Sequence, residues 1–193
     1  VIAQFFGAGD AEHAFRAVHT SMALSIAAGA VMSLIGAFLA EPALTAMDTP
    51  PEVLPHAVSY LRIYFGGILF MFVYNMGAGV LRAKGDSKRP FYLLVLATIV
   101  NIAGDIVFVV HWGWGVAGAA YATILSQLAS AAGVWIFLAR ESGAFRLRLR
   151  ELFRPDRVIL GSVIRIGLPS GLQSTMYSLS NIVIQSTVNS FGV

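Results

Sequence analysis

The chain has 193 residues, is 57% hydrophobic and only 12% charged, and has a mean hydropathy of +0.75. A soluble domain carries about 25% charge, so this composition excludes a water-soluble fold and points to an all-α, polytopic membrane protein. There is no cysteine, which excludes disulfides and thiolate metal sites, and the net charge of +3 matters less than where the charges fall.

The chain opens V-I-A-Q-F-F-G-A-G-D, without an initiator Met or a basic leader, and closes N-S-F-G-V. It is read as an internal stretch of a longer protein. Gly7-Ala8-Gly9-Asp10 reads as a loop or helix C-cap and not as a nucleotide loop, because no strand precedes it and no Lys follows. Five apolar spans follow, at Ala17–Leu39, Ala57–Leu81, Phe91–Trp112, Trp114–Ala139 and Val158–Phe191. Crossing the hydrocarbon takes about 20 residues, so each is long enough to be a transmembrane helix. The last is the most polar.

The connecting segments set the orientation. Arg82, Lys84, Lys88 and Arg89 lie between spans two and three, and Arg140, Arg146, Arg148, Arg150, Arg154 and Arg157 between spans four and five, with Arg165 just beyond. The loop Ala40–His56 carries Glu41, Asp48 and Glu52 but no Lys or Arg, and its Pro42, Pro50, Pro51 and Pro55 read as breakers. All but one of the 13 basic residues thus share a side, the exception being Arg62. The positive-inside rule makes that side, and the N-terminus, cytoplasmic in a cell (inner or plasma) membrane. Trp112 and Trp114 flank a tight W-G-W-G turn at the outer edge, so spans three and four form an antiparallel hairpin.

Asp105 lies inside the third span, where a carboxylate costs at least ~2.5–3.5 kcal/mol and marks an ion or proton path. Asn101 stands one helical turn earlier on the same face. Counting outward from Trp112 and Trp114, Asp105 is roughly 10 Å and Thr123 roughly 13 Å from the turn, with Asn101 about a turn deeper. A carboxylate, an amide oxygen and a hydroxyl can therefore converge as a site for H+ or Na+. The alternative is a buried polar cluster that only fixes packing. No Lys or Arg within these spans neutralises Asp105.

Along the fifth span Gln173, Tyr177, Asn181, Gln185 and Asn189 recur every four residues, with Ser170, Ser174 and Ser178 beside them. Such a face lines either a water-filled cavity or a polar interhelical seam. Pro169 reads as a helix start or kink. Asn75, in Y-N-M-G-A-G, reads as an interhelical hydrogen bonder or a further cavity residue. Gly77, Gly79, Gly115, Gly118, Ala119 and Ala122 read as close-packing positions. The segment F-R-L-R-L-R-E-L-F-R-P-D-R (Phe145–Arg157) reads as a basic linker in contact with membrane lipid; its tether between two spans argues against nucleic acid. His13, His19, His56 and His111 show no metal spacing and read as interfacial polar residues. No Ser–His dyad, zinc motif, phosphate loop or second carboxylate beside Asp105 supports an enzyme or a bound organic cofactor.

The motifs A-Q-F-F-G-A-G-D (Ala3–Asp10), R-A-K-G-D-S-K-R-P (Arg82–Pro90) and G-W-G-V-A-G-A-A-Y-A-T-I-L-S-Q (Gly113–Gln127), with G-L-P-S-G-L-Q (Gly167–Gln173), resemble the MATE family of multidrug and toxic compound extrusion transporters. The resemblance implies helices 3–7 of a twelve-helix, two-lobe transporter. Residues 1–139 would be part of the N-lobe, 140–157 the cytoplasmic interlobe linker and 158–193 the first helix of the C-lobe. It also implies that Asn101, Asp105 and Thr123 match coupling residues of the DinF-like branch, whose helix-one Asp lies outside this sequence. No acidic residue occurs in Val158–Phe191, unlike the NorM-like branch. The implied activity is export of small organic, often cationic, compounds by H+ or Na+ antiport, with the remaining helices of the full-length chain as partners. A flippase for a lipid-linked oligosaccharide is the alternative. It is ranked second because the polar face of the fifth span carries no basic residue to hold a pyrophosphate.

Overall fold

The structure, a computed structural model, describes residues 1–190, less the side chains of 182, 183 and 186–190. Its elements are α1 (Ile2–Gly7), α2 (Ala11–Ala46), α3 (Leu54–Ala83), α4 (Lys88–Asp105), α5 (Gly115–Arg140), the single-turn α6 (Leu149–Leu152) and α7 (Arg157–Ser190). No strand occurs among the described residues. Among the described residues, four helices are long and apolar enough to cross a membrane: α2, α3, α4 with its continuation to His111, and α5. α7, the fifth expected span, forms a helix of 34 residues but is too polar to join these four by composition.

Local chemistry explains the ends. Asp10 caps α2 by accepting the His13 backbone N–H at 3.0 Å, which satisfies one of the orphan donors of a helix start. Asp86 accepts the N–H groups of Lys88 and Arg89, both at 3.1 Å, where α4 begins. Pro55 occupies the first turn of α3, where its missing donor costs nothing.

Two prolines do not break their helices. α2 runs through Pro42 to Ala46, so the outer loop is shorter than the expected Ala40–His56. α7 runs from Arg157 through Pro169, so Pro169 does not start that helix. Proline removes one hydrogen bond from the ladder; in α2 the loss falls at the Phe38 carbonyl, about two turns before the helix ends at Ala46.

The expected hairpin is present, with one feature the sequence does not signal. Immediately after Asp105, residues Ile106–His111 form a π-helix. The turn that follows holds Gly113 at φ 67° and Gly115 at φ 55°, a left-handed region that glycine enters freely. Gly115 is therefore a turn residue rather than a packing one, and a side chain at Gly79 would meet nothing.

The four spans pack in the order α2, α3, α5, α4. The buried core gathers at one end, from Val18 and Met22 of α2, Tyr74 and Leu81 of α3, Leu93 of α4, Val134 and Leu138 of α5, and Phe145 and Leu147 of the linker. Toward the other end large apolar side chains such as Phe38 and Val110 are exposed, as a surface in hydrocarbon requires.

The α4–α5 seam depends on small residues. A Cβ on Gly104 would fall 2.9 Å from the Ala122 Cβ, and one on Gly118 would fall 3.0 Å from the Phe108 backbone. Small residues let membrane helices approach closely, where dispersion forces drive association. Gly104→Val should therefore force the hairpin apart and destabilise it by about 1–3 kcal/mol, read as a lower melting temperature in detergent than for Gly79→Val.

Candidate functional site

Asn101 and Asp105 are half-buried on α4, and Thr123 is half-buried on α5. The register of Gly104 against Ala122 and Phe108 against Gly118 sets Thr123 level with position 103, between Asn101 and Asp105. The three oxygen-bearing side chains thus fall within about one helical turn of the hairpin, with Asn101 the deepest. No hydrogen bond joins them to one another, and Asp105 has no ion pair among the described residues. The Thr123 hydroxyl donates to the Ala119 carbonyl at 3.0 Å, which leaves its lone pairs available as acceptors. Thr123 also borders a cleft of about 10 Å³ between α3 and α5, with Tyr64, Gly67 and Gln127; that is space for roughly one water. All three candidate groups offer oxygen only, the donor type that suits a hard cation or a proton.

Arg62, the basic residue within these spans, is engaged by another acid. It pairs with Glu41 at 2.7 Å, bridging α2 and α3 at the end opposite the linker.

Asn75 is exposed, and its amide donates to the Met71 carbonyl of its own helix at 2.9 Å. The interhelical hydrogen bond expected of it is made instead by Ser25, whose hydroxyl donates to the Phe72 carbonyl at 2.8 Å. Asn75 borders an open groove of about 330 Å³ with Ser25, Met71, Phe72 and Met76. On α7, Gln173, Tyr177, Asn181 and Gln185 are exposed; the side chain of Asn189 lies outside the described residues. Ser170, Ser174 and Ser178 donate to carbonyls four residues back, so they satisfy themselves.

The end that holds the core carries a network the sequence reading missed. Glu141, just past α5, has a side chain 7% exposed and pairs with both Lys84 and Arg89. Arg89 also meets Asp86 at 3.2 Å. The Lys84 bond, with Arg89 in support, holds the Glu141 carboxyl below the usual glutamate range against the opposing effect of burial. The linker is fastened to α2 as well. His19 is buried, which corrects its reading as an interfacial residue. Its Nδ1 lies 2.8 Å from the Phe15 carbonyl and its Nε2 accepts the Arg148 backbone N–H at 2.9 Å, so the ring is the neutral, Nδ1-protonated tautomer. Thr20 accepts the Asp156 N–H at 3.0 Å. Asp156 in turn caps α7 through the N–H groups of Ile159 and Val158 and lies 3.5 Å from Arg16. The Ile159 bond leads the effects that lower its carboxyl below the ordinary range. Glu141 was legible in one respect: it is the sole acid between Asp105 and Glu151.

The family model MatE matches residues 1–107. "Probable multidrug resistance protein YoeA" of Bacillus subtilis is 32% identical, over 100% of this chain and 43% of its own length. "Probable multidrug resistance protein YpnP" of the same organism is 38% identical, over 88% of this chain and 36% of its own. A "FAD transporter" of Shewanella oneidensis is 25% identical over 96% of this chain. Among solved structures, "Crystal structure of MATE in complex with MaL6" superposes with a TM-score of 0.87 at 32% identity, covering 96% of this chain and 41% of that one. A MOP superfamily transporter from Pyrococcus furiosus superposes at 0.84, also with 32% identity, covering 94% of this chain and 40% of that one. The chain spans about two fifths of the length of the relatives it matches.

Because Glu141 is lowered on folding, its stabilisation is present in full above the ordinary glutamate range and is lost as pH falls through the lowered value. Glu141→Gln should cost about 2 kcal/mol at neutral pH. Thermal unfolding from pH 7 down to the acid range should show the wild type converging on the variant as the carboxylate protonates.

Proposed function

Since the chain belongs to the MatE family, we propose that the protein it forms exports small organic compounds, often cationic, by alternating access coupled to entry of H+ or Na+. The four apolar helices and these relatives make it a multi-pass membrane protein. The multidrug resistance named for its Bacillus relatives supports the export of organic compounds. The flippase alternative finds no support among the relatives named above.

The observation that supports the coupling reading is the hairpin register that sets Thr123 between the levels of Asn101 and Asp105. Asp105 takes up the proton or Na+ from the side of the W-G-W-G turn, and Asn101 and Thr123 supply neutral oxygens. Neutralising Asp105 removes a cost of at least ~2.5–3.5 kcal/mol, on the order of a hundredfold in a two-state population. The π segment that begins at the next residue is of a kind found frequently at functional sites, and in this reading it is where the outer part of α4 repacks. A ligand moves such an equilibrium only by its differential affinity for the two states, and the carboxylate supplies that difference. Gln173, Tyr177, Asn181 and Gln185 face the substrate, joined by Asn75 from the N-lobe side. This polar, uncharged face suits varied substrates.

The charge distribution favours a cytoplasmic N-terminus and a cytoplasmic linker at 140–157, between the N-lobe residues 1–139 and the C-lobe helix 158–193. The absence of an acid in Val158–Phe191 favours the DinF-like branch.

The test is gradient-driven efflux of a fluorescent cationic dye from proteoliposomes of the full-length protein. Asp105→Asn should insert and fold yet lose at least ~90% of the efflux driven by the effective gradient, consistent with removing a group that acts only through its charge. Undiminished efflux by that variant would sink the coupling assignment.

A further inference from the structure

The linker presents a surface that the transport reading does not use. Phe145 and Leu147 are buried, 2% and 6% exposed, and anchor the segment. Beyond them the apolar residues turn outward: Leu149 is 63% exposed, Phe153 86% and Val158 80%. Arg146, Arg150, Arg154 and Arg157 are exposed on the same stretch, and none has an acidic partner within salt-bridge distance among the described residues. Arg148 differs, lying over the Phe15 ring at 5.7 Å.

Phe153 also walls a groove of about 440 Å³ between the linker, α7 and α2, which Leu152 and Leu160 border from one side and Ala23 and Ala27 from the other. The groove follows α2 from Thr20 to Ala30, roughly 15 Å at the helical rise. It starts at the arginine-bearing segment, and its walls are almost wholly apolar.

We propose that this face binds an anionic phospholipid, its phosphate held by Arg150, Arg154 and Arg157 and an acyl chain laid in the groove along α2. A phosphate matches guanidinium donors in geometry and charge. A chain entering the hydrocarbon beside an exposed phenylalanine matches the groove's direction. The charge complementarity selects this occupant over further protein. A protein segment covering four arginines would have to bring carboxylates to them, whereas an anionic leaflet offers negative charge at this depth throughout. The bound lipid would tie the start of α7 to α2 at the point where Asp156 already joins them. The inference rests on the membrane-spanning architecture and not on export, so a protein that moves no dye could still satisfy it.

The experiment uses the full-length protein in nanodiscs, with Phe153→Cys carrying a fluorophore. Quenching is compared between spin-labelled phosphatidylglycerol and spin-labelled phosphatidylcholine at equal mole fraction. The anionic lipid should quench severalfold more strongly. Each arginine near such a surface contributes about fivefold, so Arg150→Gln/Arg154→Gln/Arg157→Gln should bring quenching by the two lipids to parity, and high salt should weaken the preference in the parent. Equal quenching by the two lipids with all arginines present would overturn the proposal. So would no quenching by either, which would mean that another protein segment covers the groove.

Discussion

The approach of Gly104 to Ala122 is the contact on which the geometry of the candidate site depends. It sets how near α4 comes to α5, and with Gly118 against Phe108 it fixes their register. Three polar side chains on two helices fall within about one turn of each other because small residues let the helices meet in this register. In hydrocarbon there is no hydrophobic drive to bring helices together, so the fit of small surfaces has to do it. The chemistry of the site is set by side chains that carry none.

The opposite end of the bundle is held by different means. The core there is apolar, but what links the α3–α4 loop, the end of α5 and the linker is one buried carboxylate shared by two cations. A buried ion pair is often a weak source of net stability, because the cost of desolvation offsets the attraction. Its value here is specificity. Lys84 and Arg89 come from a loop and a helix start, and only one placement of Glu141 satisfies both. His19 and Thr20 act similarly through backbone N–H groups, so that the linker runs over α2 along one path. The protein is therefore loosely determined by packing at its lipid-facing surfaces and tightly determined by polar contacts at one rim.

Much of this was legible in the sequence. The four spans, the hairpin and the shared face of Asn101 and Asp105 follow from run length, glycine placement and helical period. What was misread has physical causes. Pro42 and Pro169 were given the force they have in water, yet a long membrane helix keeps the rest of its hydrogen bonds and tolerates the loss of one. Of the two readings of Asn75, the interhelical hydrogen bond fails because a side-chain amide can reach the carbonyl four residues back and needs no neighbour. His19 and Glu141 were missed because their partners stand far along the chain, and composition carries no information about which distant residues meet. The π segment has no residue type that announces it.

That segment has a consequence for descent. A π turn holds about one residue more than the α turn it replaces, so Ile106–His111 can be regarded as an α-helix that has absorbed an insertion. The extra residue changes the bonding locally and leaves the helix intact on both sides. A homologue one residue shorter between Asp105 and Trp112 could keep the carboxylate and the interfacial indole on their respective faces simply by reverting to α geometry. Alignments of this stretch should therefore place a gap inside the helix, next to the carboxylate, rather than in the loop beyond it.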